Sequence, residues 1–128
     1  MRRILELHTA EIAARQRSDA DMRAILEQAA AMRACADDAA TLMLHDIAFH
    51  QAIADASGNP LFTQIVRSFE PLMTTAGPAA WQTRGTVHQR QAILDLHSDI
   101  AQSIADRDEA SARENMDRHF AASIADLL

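Results

Sequence analysis

Asp46 and His50 stand four residues apart in the run MLHDIAFHQAIADASGNP, residues 43–60. On a helix that spacing sends both side chains from one side, one turn apart, so that they could grip a single ion. Their line, through Met43, Asp46, His50 and Ile53, is an apolar stripe interrupted by two polar groups. A carboxylate facing a core is costly unless something compensates its charge.

The remaining histidines sort by face. His97 lies in the apolar line Ile93, His97, Ile100, Ile104, and His119 in the line Ala112, Met116, His119, Ser123, with Phe120 and Ile124 beside it. His88 shares its side with Ala92 and Asp95 and reads as partly solvated; His45 points about 100° away from Asp46, next to Leu42 and Phe49. His8 also sits on an apolar line, between Leu5 and Ile12. Three helices thus direct Asp46, His50, His97 and His119 inward. Three imidazoles and one carboxylate suit a divalent transition metal such as Zn²⁺, Ni²⁺, Co²⁺ or Fe²⁺, and not Ca²⁺ or Mg²⁺, which favour all-oxygen shells. Packed, hydrogen-bonded histidines would show the same spacing, and a lone Asp-x-x-x-His pair arises often by chance; the coincidence of four such groups brings the metal level with packing, and spacing alone does not establish that they converge.

About six helices must position these groups. The first covers residues 2–16, with Leu5, His8, Ile12 and Arg15 along one line, and Ser18-Asp19-Ala20-Asp21 resembles a capping box that starts a second helix ending near Cys35. These two are expected to be antiparallel neighbours. The third, 38–56, carries Asp46 and His50 and ends at Ser57-Gly58-Asn59-Pro60, where Gly or Asn takes the left-handed cap and Pro forbids continuation. A fourth runs from about Leu61 to Glu70 with Phe62, Ile65, Val66 and Phe69 as its buried side, and Pro71 kinks or ends it. Residues 74–87, with two glycines, a proline and the only Trp, form the one expected irregular stretch, in which Trp81 is read as packing. The fifth and sixth helices cover roughly 88–106 and 109–127, with Asp108 as N-cap of the last.

Composition agrees with a single all-α domain spanning residues 1–128, an antiparallel bundle: Gly and Pro number three each, while Ala, Leu, Met, Gln and Arg abound. A net charge of −6 with interspersed signs is a poor footprint for nucleic acid or an anionic membrane surface. The single Cys35 excludes an internal disulfide and any Cys-based zinc motif. Glu6, His8 and Glu11 interrupt what would be the apolar region of a signal peptide, and no run approaches a membrane span, so a cytoplasmic location is expected.

The pattern Asp46-x-x-Phe49-His50-x-x-Ile53-Ala54-x-x-Ser57-Gly58-Asn59-x-Leu61, then His97 with Ile100, Ile104 and Asp108, then Ala112, Met116 and His119-Phe120, resembles the FCD domain. That is the C-terminal effector-sensing domain of FadR-subfamily GntR transcription regulators of bacteria. The opening Arg2-x-x-Leu5-Glu6, followed by Ala10, Ala13 and Ala14, is similar to its first helix, and the likeness spans essentially the whole chain. One departure is Leu96, where the residue before the third ligand is usually Glu.

The resemblance implies a bundle of six or seven helices, a homodimer, and a metal held by Asp46, His50, His97 and His119. It also implies a small carboxylate effector that can complete the metal's coordination, and its pattern offers Arg2 as the arginine to neutralise the remaining charge; Arg67 on the fourth helix and Arg84 in the 74–87 stretch are further candidates by position. The family's DNA reader is an upstream winged helix that this chain lacks, so a sensor domain of a longer regulator is expected rather than a free-standing relative. Two other readings compete. A metal-dependent hydrolase would activate water at an open metal position, but no separate inward carboxylate stands out as a base and there is no nucleophile motif. A metal-free structural or dimerisation bundle would use the histidines for packing alone.

Overall fold

A computed structural model describes residues 2–84 and 86–127, with side chains through Ala122. It is all-helical: among the described residues there are seven helices and no strand. They are α1 (Arg2–Gln16), α2 (Asp19–Ala34), α3 (Ala39–Ala56), α4 (Pro60–Arg67), α5 (Glu70–Gln82), α6 (Val87–Ala105) and α7 (Glu109–Leu127). None is long and apolar enough to cross a membrane.

Local chemistry sets most boundaries. Ser18 caps α2 through the Asp21 amide at 3.0 Å, and the Asp21 carboxylate accepts from the Ser18 amide at 2.9 Å, completing a capping box. Asp38 caps α3 through the Thr41 amide. Gly58 takes the left-handed conformation (φ +75°) just past α3, Asn59 accepts from the Leu61 amide, and Pro60 opens α4 at a position where its missing N–H costs nothing. Thr86 and Gln89 form a second capping box at the start of α6. Asp108 accepts from the Ser111 amide at the start of α7.

Three expectations are corrected. Residues 74–87 are not one irregular stretch, since α5 runs to Gln82 with Pro71 in its first turn and Pro78 inside it. Gly77 serves close approach instead of a turn: a Cβ there would lie 2.4–2.8 Å from Met43 of α3. Second, α4 stops at Arg67, and of its apolar side only Val66 is buried; Phe62, Ile65 and Phe69 are half-exposed. Third, α1 and α2 are not packing neighbours. Helix α1 packs on α7, α3 and α6, while α2 packs on α3 and α6. Arg17, at the corner between them, donates to the carbonyls of Ala105 (2.7 Å) and Ile104 (3.5 Å), and Arg107 donates to those of Arg15 and Arg17. The corner is thereby tied to the end of α6, and the two helices diverge from it.

Phe49, Ile53, Ile25, Met32, Ile100 and Met116 are almost wholly buried at the centre. At about 1.5–3 kcal/mol for each such side chain removed from water, this core holds the helices that carry the polar cluster described next.

Candidate metal centre

Helix α3 delivers Asp46 and His50 from adjacent turns, α6 delivers His97 and α7 delivers His119, all four buried. One candidate ligand atom from each lies within 4.8 Å of all the others. The imidazole centroids are 4.6 Å (His97 to His119), 5.0 Å (His50 to His119) and 5.8 Å (His50 to His97) apart. The structure therefore brings together the four residues that periodicity had placed inward.

A fifth group, unforeseen in the sequence, supports them. Glu6 of α1 is 1% exposed, and its carboxylate accepts a short hydrogen bond from His50 Nδ1. Its other oxygen is 2.6 Å from Arg2 Nε, and the Arg2 guanidinium lies 5.0 Å from the Phe120 ring centroid. Glu6 belongs to the first-helix pattern Arg2-x-x-Leu5-Glu6, yet the helical line expected to face inward runs through His8, whereas α1 buries Glu6, Ala10, Ala13 and Ala14. His8 is exposed and meets Phe62 edge-on at 5.7 Å. Glu6 is thus an inward carboxylate outside the four, but it is engaged by His50 and Arg2 and does not line the adjoining cavity, so it is not placed to act as a base there.

The tautomers follow from the partners. His97 Nδ1 faces the Ile93 carbonyl at 2.8 Å, and a carbonyl only accepts, so Nδ1 carries the proton. Glu6 is held below the usual carboxylate range: burial raises its pKa, and the positive charges of His50 and Arg2 outweigh that. His50 Nδ1 is accordingly also the donor. Both Nε2 atoms then turn toward the same oxygen, Asp46 Oδ1, at 2.9 Å from His97 and 3.2 Å from His50. In neutral rings these are two lone pairs facing a carboxylate inside a core, which is untenable unless positive charge lies between them.

Charge distribution responds accordingly. Burial would raise the pKa of Asp46, but His97 and His50 hold it well below the ordinary value. Burial disfavours a charged His50, but the carboxylates of Glu6 and Asp46 prevail and lift its pKa to about 9. For His119, burial and then the charges of His97 and His50 push the pKa well below normal, so it presents a neutral ring. A proton at His50 Nε2 and a metal cation would thus occupy the same place, and the donor set fits such a cation.

Beside the cluster lies a cavity of about 340 Å³ that reaches Asp46, His97 and His119. Arg2 and Arg84 line it; Arg67 does not, being exposed on α4 and 3.5 Å from Asp55. Arg84 is buried, donates to the Ala80 carbonyl and lies 5.8 Å from the centre of the Trp81 ring. Trp81 packs, donating to the Ala36 carbonyl at 2.9 Å, and is also a cavity wall. His45 bonds Gln28 at 2.8 Å, and His88 is exposed. Leu96 is half-buried against the core.

A helical bundle with a buried three-histidine, one-aspartate cluster opening on a cavity is a ligand-holding domain in form. The chain belongs to the FCD domain family, whose model matches residues 1–122. Among solved structures, E. coli McbR/YncC is similar in fold, with a TM-score of 0.71 at 16% sequence identity over 97% of this chain. This chain spans 64% of the length of that one. No curated protein matches the sequence.

Proposed function

We propose that this domain is the effector-sensing and dimerisation part of a bacterial GntR/FadR-type transcription regulator, in the cytoplasm, with DNA contacted through a winged-helix domain outside these residues. Asp46, His50, His97 and His119 hold one divalent transition metal, Zn²⁺ by preference with Ni²⁺, Co²⁺ or Fe²⁺ as alternatives. A small organic acid enters the adjoining cavity and binds at the metal. The observation that carries the reading is the convergence of the His50 and His97 Nε2 atoms on Asp46 Oδ1, each in a ring whose Nδ1 faces another acceptor.

The metal would supply the charge that compensates Asp46 and an electrophilic pole for an anion. Glu6 orients His50 and raises its basicity, and the Ile93 carbonyl does the same for His97. Arg2, on the cavity wall, adds positive charge that a carboxylate can share, although Glu6 holds part of it. Sensor is preferred to hydrolase because, among the described residues, the one additional buried carboxylate at the cluster is spent on His50 and Arg2, away from the cavity where a base would have to act.

Elemental analysis of protein purified without added metal tests the metal. One equivalent of a transition metal per chain is expected, and a chain that stays empty after reconstitution with zinc would refute the site. Raising of the melting temperature of the zinc-loaded protein by small carboxylates tests the effector.

A further inference from the structure

We infer that the effector is a carboxylate with an apolar body, an alkyl or aryl acid, and not a polyhydroxylated one. The inference rests on the cavity being the effector site and concerns what the rest of that cavity can accept. One wall is the metal-facing cluster. Away from it the side chains are hydrocarbon or thioether: Met32, Leu42, Met43, Met73, Trp81 and Ile93 form most of the surface. The two remaining polar groups, Arg2 and Arg84, are both cations with donors only.

Outside the cluster, then, the lining side chains offer no acceptor stronger than the methionine thioethers. The hydroxyls of a sugar acid would enter as donors without a good acceptor, and a poorly satisfied hydroxyl is penalised. An alkyl or aromatic body leaves nothing unpaired and gains from the area it buries. Three methionines among the walls make them adaptable, so binding should grade with apolar size instead of demanding one shape. At about 30 Å³ per water-sized group the cavity holds roughly ten non-hydrogen atoms, enough for hexanoate or phenylacetate.

The test is calorimetry on the zinc-loaded domain with acetate, butyrate, hexanoate, phenylacetate and gluconate, the last matched to hexanoate in carbon number. Affinity should rise by about fourfold per added methylene from acetate to hexanoate, and gluconate should bind more weakly than hexanoate. Leu72 lines the cavity but is 64% exposed, so Leu72→Ser should fold and keep its zinc. It should weaken hexanoate while leaving acetate unchanged. A flat series, or gluconate binding more tightly than hexanoate, overturns the apolar class while leaving the effector site intact. Failure of every acid to bind zinc-loaded protein overturns the effector reading itself.

Discussion

Replacing Glu6 by Gln isolates the contribution of a supporting group that touches a metal-facing histidine through a charge. The side chain keeps its size, and its amide oxygen can still accept from His50 Nδ1. What disappears is the negative charge that orients the imidazole, raises its basicity and pairs with Arg2 at 2.6 Å. Charge-assisted hydrogen bonds are roughly twice as strong as neutral ones. Loss of such a partner behind a ligating histidine typically weakens metal binding 10–100-fold. Glu6→Gln should therefore raise the zinc dissociation constant by about 10–100-fold, or about 1.4–2.8 kcal/mol. Competition against a chelating indicator gives the constant directly. It is to be measured well below the variant's melting temperature, because the metal-free protein also loses a buried charged hydrogen bond, a loss of about 1.5–3 kcal/mol. Glu11→Gln is the control, since Glu11 meets only Arg113 at 3.5 Å on the surface. Zinc affinity unchanged in Glu6→Gln, in a variant shown to be folded, would refute the argument that His50 is a ligand tuned from behind.

Further outcomes are expected. His97→Ala should abolish stoichiometric zinc and destabilise the fold by about 3–5 kcal/mol, because Asp46 loses a buried partner; His88→Ala, at an exposed position, should change neither, and zinc retained in His97→Ala would show the ligand set to be wrong. Metal-free protein should be most stable near pH 6.5. Above that, His50, with its folded pKa raised to about 9, loses its contribution between the unfolded value of 6.5 and 9. Below it, His119, with a depressed folded pKa, resists the proton that the unfolded chain accepts, and below about 4.5 the depressed Glu6 and Asp46 add their losses. Melting curves against pH with a chelator should show this maximum, and zinc should remove the alkaline decline; equal metal-free stability at pH 6.5 and 9 would contradict it. Gly77→Ala forces the Met43 side chain to move, at about 1–3 kcal/mol of overpacking against about 0.5–1 kcal/mol that Ala gains over Gly in a helix, so urea unfolding should show a net loss; a raised midpoint would mean that α5 is not held against α3 as described.

The four inward donors were legible because α3, α6 and α7 carry large apolar residues at helical spacing, which makes each inner face conspicuous. Helix α1 hides its inner face. Ala10, Ala13 and Ala14 give little contrast, so the larger Leu5 and Ile12 drew the line through His8 and left Glu6 off it. Two glycines and Pro78 make residues 74–87 read as a loop, and Pro71 reads as a kink or end of the fourth helix, yet Pro71 falls in a first turn where it is tolerated and Gly77 answers a contact with a residue thirty-four positions earlier. The Ser18 box located the α1–α2 corner correctly. Which helices α1 and α2 pack on is decided elsewhere, by the carbonyls at the ends of α1 and α6 that Arg17 and Arg107 grasp. The cavity follows from how the inner side chains of several helices fill space, which no single helical period encodes.

The same geometry indicates how occupancy could reach the rest of the bundle. The cluster draws on α3, α6 and α7 directly and on α1 through Glu6, and α1 is further tied to α7 by Arg3 and Asp117 at 2.6 Å. A cation at the centre would therefore fix four helices against one another. Helix α5 is different: its substantial packing among the described residues is with α3, supplemented by Trp81 reaching the Ala36 carbonyl. Yet α5 supplies much of the cavity wall, including Leu72, Met73, Gly77 and Trp81. An anion held by the fixed cluster would touch a helix that the cluster does not hold. Because a ligand shifts an equilibrium only by its differential contacts with the two arrangements, α5 would be the element on which an effector in the cavity acts, with a cation at the cluster as the stationary side.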